Sequence, residues 1–298
     1  MNAASFWSWA LVGITVLWGW SFVAIHAALL EISASSFNAY RFLTGALVIL
    51  LFVPKRIINM RRLDIAYGGV AGAALFFAFA FQTSGLRWTS ASNASFITGL
   101  AIVFTPIFAY FILKSKPSKK QALGALIATV GLGLLTLKGI SIHFGDLMVL
   151  ACAVFTALHI VVLSKYSKGI DSAALAFVQV LVVGGLSLIW SLGENALDVP
   201  KTPAVFWAIG IIGVAGTALA YFVQTRAQVE ASPSRIALIL VLEPVFGGLF
   251  GYVLGGDRLG MVNIVGACLI VVGMVVTECE IDALSIKRFK SRANIKAN

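Results

Sequence analysis

Charge is scarce in this chain of 298 residues: Asp, Glu, Lys and Arg make up 11% of it, against 60% hydrophobic residues. A soluble globule carries about 25% charged residues and cannot hide so much apolar surface. Water is therefore excluded as the sole solvent, and a lipid bilayer is implied as a partner. Cysteine and histidine are also few, three of each. Cys152, Cys268 and Cys279 are scattered without disulfide or metal-ligand spacing, which speaks against a disulfide framework, a metal site or a metal cofactor. The chain lacks a glycine-rich phosphate loop after a strand and a nucleophile elbow. With no nucleotide site, any pumping draws on a gradient, or the protein equilibrates passively. Acidic residues number 12 against 22 basic ones, a net charge of +10. The basic residues sit in short loops between apolar runs, so the charge reads as membrane topology and not as a nucleic-acid surface.

What is abundant is apolar sequence in lengths of about 20 residues, the length that crosses a bilayer. Punctuation by charge, Gly, Pro and Asn divides the chain into ten such segments, at 6–29, 35–53, 64–86, 90–113, 119–138, 145–164, 171–192, 203–225, 233–255 and 259–279. The first lacks a basic leader and is too long for a signal-peptide core, so it reads as a retained span. Loops at 55–62, 114–120, 165–168 and 226–235, with the tail at 287–296, hold seventeen of the 22 basic residues. The positive-inside rule then predicts that both termini are cytoplasmic.

The halves echo each other. Gln82-Thr83 recurs as Gln224-Thr225, Phe79 aligns with Tyr221, and Gly124 and Gly131 fall on Gly266 and Gly273, all at an offset of 142. Val103-Phe104-Thr105-Pro106 matches Leu240-Val241-Leu242-Glu243-Pro244 at a proline offset of 138. Five spans per half is an odd number, so the second copy must be upside down relative to the first. Such repeats place a substrate at the midplane between the halves. The expected fold is an all-α membrane protein of ten transmembrane helices, two inverted five-helix repeats around a central cavity. Residues 1–141 and 142–282 would be the repeats, and 283–298 a basic cytoplasmic tail.

Polar and aromatic residues at depth supply the candidate site. Trp18 and Phe22, four residues apart, share a helix face. The indole lies too deep for an interfacial anchor, so it either packs through Gly19 or lines a polar cavity. His26 reads as a hydrogen-bonded interfacial residue. Arg41 either snorkels outward or faces the bundle and holds a carboxylate, of the protein or of a substrate. Phe79 and Gln82 lie on one stripe with Leu75 and Leu86, and Tyr221 and Gln224 form its counterpart; the amides line a solute path or tie helix to helix. Phe155 and His159 share a face, and the imidazole binds substrate, relays protons or pairs locally. Glu243 beside Pro244 mid-span is the costliest pair, fit to answer a cation or a proton unless freed helix ends satisfy it. Pro106 and Pro244 are the candidate hinges. An intramembrane enzyme would have only His26 or His159 with Glu243 as a dyad, so enzymatic activity is not expected. Isolated polar residues also argue against a channel.

Leu17-Trp18-Gly19 with Ser21-Phe22, Tyr40-Arg41-Phe42-Leu43, the Thr89 to Leu100 run leading to Thr105-Pro106, and Leu242-Glu243-Pro244-Val245 resemble the drug/metabolite transporter superfamily, in its ten-span EamA-like branch. The resemblance covers nearly the whole chain. It implies a basket in which spans one, three, four, six, eight and nine surround a cavity, in a multi-pass protein of the inner (plasma) membrane. It also implies export or exchange of small-molecule substrates, amino acids or their derivatives above all. A cationic or nucleoside-like metabolite such as S-adenosylmethionine, a drug or a polyamine is the alternative cargo. His159 departs from the aromatic residue expected there. A monomer is the expectation, with a homodimer left open.

Overall fold

The computed structural model describes residues 3–136, 143–195, 197–256, 258 and 260–276. Lys138, Cys279 and the tail at 283–298 lie outside them. Among the described residues every regular element is helical. Eight helical segments are long and apolar enough to cross a membrane: Ser5–Ala28, Ala34–Phe52, Arg62–Gly85, Ala91–Leu113, Phe144–Tyr166, Ser172–Gly193, Pro203–Glu230 and Pro233–Leu254. Two of the ten expected segments fall short of that mark. Lys119–Thr136 has 18 described residues and opens on two lysines, which lower its mean hydropathy. Met261–Val276 is a shorter apolar helix.

Serine, aspartate and proline set the helix starts. Ser33, Ser90 and Ser232 each cap a helix by accepting from the backbone N–H three residues on, and Asp171 caps Ser172–Gly193 through Ala173 and Ala174. Pro203 and Pro233 occupy first-turn positions that need no amide donor. Three of the long segments are not regular. The fourth is broken between Ala91–Thr98 and Ala101–Leu113, and the last of these eight between Pro233–Leu240 and Leu242–Leu254. Between them, Pro203–Glu230 contains a π-helical turn at Val214–Leu219.

Pro244 explains the later break, since its ring meets the carbonyl four residues back, at Leu240. The earlier break lies at Gly99 and Leu100, well before Pro106. Ser90 and Ser232, and the elements that start at Ala91 and Pro233, are 142 residues apart. The breaks at Gly99 and Val241 likewise stand 142 residues apart, while the two prolines are 138 apart. Pro106 sits inside Ala101–Leu113 without ending it.

Small residues bring the helices together. A Cβ on Gly131 would stand 2.5 Å from Gly266 O, and one on Gly273 would stand 2.6 Å from Gly124 O. Gly85 and Gly145 meet in the same reciprocal way, as do Gly45 and Gly213 with each other's helices. Loops sort into two ends. At one, Arg56 pairs with Asp171, Arg61 donates to Gly169 O, Gln121 donates to Ser232 and Arg226 lies over the Trp7 ring. At the other, Ser33 N–H donates to Asp198, the backbone N–H groups of Lys201 and Thr202 donate to Glu31, and Thr89 donates to Asp146. Large apolar side chains face outward, Phe52 at 83% exposure and Met261 at 78%. In water that belt would be an aggregation surface; against lipid tails it needs no cover.

Candidate functional site

Polar side chains are buried among the apolar ones of the interior. Arg41, His159, Gln179, Gln224 and Gln228 are all at most 2% exposed, and buried polar groups at this depth mark a function or a tightly satisfied network. Several of them border one central cavity of about 60 Å³, room for a few waters. It is walled by helices from both halves, and the broken segments contribute their breaks to it: Thr98 and Gly99 on one side, Val241, Glu243 and Pro244 on the other. Helix breaks expose backbone groups and half-helix ends to a cavity that can use them. Glu243 lies in the first turn of Leu242–Leu254, where the free N–H groups favour an anion.

Nine of the ten side chains singled out in the sequence border this cavity: Trp18, Phe22, Arg41, Phe79 and Gln82 from the first half, and His159, Tyr221, Gln224 and Glu243 from the second. Phe155 is the exception. It stacks on Phe77 and Phe81 with centroids 5.1 and 5.8 Å away, on the face of its helix turned from the cavity. The face that does reach it runs Cys152, Thr156, His159, a spacing of four and three that the sequence displays but that an all-round apolar helix does not single out. The structure also adds Ala34–Phe52 to the six lining helices that the resemblance implied, through Arg41.

Each side chain is held in a definite way. Trp18 Nε1 donates to Gly216 O at 2.7 Å. Gly216 lies in the π turn, whose wider winding takes its carbonyls out of the α-helical ladder. Indole packing and cavity lining are therefore both realised at Trp18. Tyr221 completes a ring cluster with Trp18 at 5.6 Å and with Phe42 and Phe79 at 6.2 Å. Arg41 lies against two of those rings, 4.6 Å from the Phe42 centroid and 4.4 Å from that of Phe79. It does not snorkel: it is 1% exposed.

The amides divide between two roles. Gln82 Nε2 donates to Thr98 at 3.4 Å, whereas Gln224 Oε1 is buried with no partner. His159 Nε2 meets Gln179 Oε1 at 2.8 Å, and Gln179 Nε2 donates in turn to Thr225 at 3.0 Å. With its amide committed to Thr225, Gln179 offers an acceptor, which puts the imidazole proton on Nε2. His159 thus pairs with a side-chain amide and not with a backbone carbonyl. A matching cluster joins Thr83 to Asn38 at 3.1 Å and Asn38 to Phe79 O at 3.3 Å. Thr83 and Thr225 are 142 residues apart. His26 is tied to Leu86 O at 2.9 Å, beside an open hollow lined by Arg87, Trp88 and His143.

Outside the spans, the Glu31 carboxyl is held below its ordinary value by the Thr202 hydroxyl and the Lys201 backbone N–H. Among the described residues no cluster of three metal-ligating side chains occurs.

Comparison with known proteins adds a family. The model of the EamA-like transporter family matches residues 5–137 and 143–278. An uncharacterized transporter of Archaeoglobus fulgidus is 30% identical over 269 residues, 90% of this chain and 84% of that protein. The uncharacterized transporter YyaM of Bacillus subtilis is 27% identical over 280 residues, 89% of this chain and 91% of its own. One crystal structure superposes with a TM-score of 0.73 over 93% of this chain and 98% of that one, at 18% identity. At that identity the likeness speaks for the fold.

Proposed function

The chain belongs to the EamA-like transporter family, and from that premise we propose that it is a secondary transporter, an exporter or exchanger, of small amphipathic metabolites, amino acids or their derivatives. The observation that carries the reading is the central cavity, in which an aromatic cluster faces Gln82, Gln224 and Glu243. Rings give an apolar or cation-π wall, while amides and a carboxyl orient the polar end of a solute. Trp18, Phe22, Phe79 and Tyr221 are the wall, and Pro106 and Pro244 are the hinge candidates.

Transport by this route is alternating access between two inverted five-span repeats, with Lys119–Thr136 and Met261–Val276 as the fifth span of each. Three features support it. The family model matches each half separately. Gly131 with Gly266 mirrors Gly273 with Gly124. Loops meant to share a face bond to one another, such as Arg61 to Gly169. Cargo held in the cavity between the halves drives net movement by stabilising inward- and outward-open states differently. Both termini lie in the cytoplasm on this reading, and the protein in the plasma membrane; the basic loops at 55–62 and 165–168 support that orientation.

The test is counterflow of a labelled amino-acid panel in proteoliposomes, for the native protein, Glu243→Gln and Trp18→Ala. Saturable uptake by the native protein that is reduced in both variants supports the reading. Uptake equal to that of empty liposomes for every amino acid defeats it. The alternative cargo is a cationic or nucleoside-like metabolite such as S-adenosylmethionine, a drug or a polyamine, and Glu243 is the residue that favours it.

A further inference from the structure

One group in the cavity wall is left unmet by the fold. The Nε and Nη1 atoms of Arg41 are buried and have no hydrogen-bond partner. Among the described residues no acid forms an ion pair with Arg41, unlike Arg56 with Asp171 or Arg61 with Asp64. A guanidinium keeps its charge in a protein. It cannot escape desolvation by losing a proton, as a lysine or a carboxylic acid can. Phe42 and Phe79 cover it, which stabilises the face of the cation but leaves the in-plane donors on Nε and Nη1 without acceptors. Glu243 borders the same cavity without reaching it. Gln224 Oε1, also buried, is an acceptor lacking a donor.

Resting on the carrier reading, we propose that Arg41 is the anchor for a carboxylate on the cargo, and that cargo without a carboxylate is refused. A planar carboxylate meets a guanidinium edge with two parallel hydrogen bonds, which supplies the acceptors that the protein withholds. The donor end of the same solute, an ammonium or hydroxyl group, then faces Gln224 and Glu243. Without a carboxylate on the cargo to meet it, the fixed positive charge of Arg41 also disfavours an amine or polyamine that reaches this end of the cavity. This separates the two cargo classes that the family and the acid alone leave open. The fold tolerates the unpaired cation in the empty state because the aromatic wall shields it, and binding relieves it.

The experiment is a thermal-shift titration of the purified full-length protein in detergent. The probes are L-threonine, L-leucine and L-phenylalanine, each against its methyl ester and the amine formed by decarboxylation, with spermidine as the cationic reference. At least one acid is expected to stabilise the protein at a concentration about tenfold or more below its ester and amine, the factor that corresponds to 1.4 kcal/mol. Arg41→Gln is expected to abolish that preference. Should this variant not fold, the matched probes on the native protein decide the matter alone. An ester or amine that stabilises as well as its acid, or spermidine acting where no acid does, overturns the proposal and leaves the carrier reading in place. If no acid stabilises and counterflow of the whole panel equals that of empty liposomes, both fall together.

Discussion

Trp18→Phe isolates the link between the first helix and the π turn. Phenylalanine keeps a ring against Tyr221, whose centroid is 5.6 Å from that of Trp18, and removes only the donor that reaches Gly216 O at 2.7 Å. Interhelical hydrogen bonds within membranes average about 0.6 kcal/mol and reach about 1.7. Leaving a buried carbonyl unmet costs about 1–3 kcal/mol. Gly216 is itself buried, which puts the expected loss at the upper part of the first range and the lower part of the second, about 1–2 kcal/mol. Reversible unfolding in mixed micelles measures this directly, as a factor of about 5–30 in the folding equilibrium. Trp18→Ala should lose more, about 3–5 kcal/mol, because the ring goes as well. If Trp18→Phe unfolds within error of the native protein, Gly216 O is not held by the indole and the π turn does not depend on the first helix.

Three further outcomes follow from the same geometry. Gly131→Ala places a methyl group 2.5 Å from the backbone oxygen of Gly266, which cannot yield as a flexible side chain would; a loss of about 1–3 kcal/mol is expected, whereas Gly133→Ala, with open space around it, should be neutral or slightly stabilising in the same melting assay. His159→Phe strands Gln179 Oε1, its partner at 2.8 Å, and should cost about 1–3 kcal/mol; wild-type melting would show that Gln179 finds another donor. Glu31 is held below its ordinary value of 4.5 by bonds from Thr202 and Lys201. A lowered carboxyl adds stability that is present above its unfolded pKa and lost as pH falls through the folded one. Amide exchange at Lys201 and Thr202 should therefore rise only as pH drops below about 4.5, after correction for intrinsic rates, and in Glu31→Gln it should be fast at neutral pH too.

Much of the helix layout is legible because one span of apolar residues needs one bilayer thickness and charged loops punctuate it; Ser90 and Ser232 even mark the caps. Trp18, Gln82, Gln224 and Glu243 stand out for a similar reason, since polar or amphipathic groups at depth must meet something. Helix phase is harder. Phe155 and Cys152 sit on a helix that is apolar on most sides, so nothing local tells which face meets the bundle; packing against Phe77 and Phe81 decides it. The break at Gly99 is hidden for another reason: Pro106 advertises a kink that its helix absorbs, while the actual break is matched by Val241 and not by the second proline. The π turn at Val214–Leu219 has no signature in residue type at all. It is a matter of winding, and the Trp18 indole bonds to one of its carbonyls.

Alternating access requires a hollow that water reaches from outside the protein as the halves move. Cys152 borders it and is buried, which makes it a built-in reporter. In proteoliposomes carrying Cys268→Ala and Cys279→Ala, a membrane-impermeant thiol reagent should label Cys152 slowly, at a rate set by opening and not by reagent concentration. Reaction only with lipid-soluble reagents, and none with the impermeant one from either face, would contradict the account.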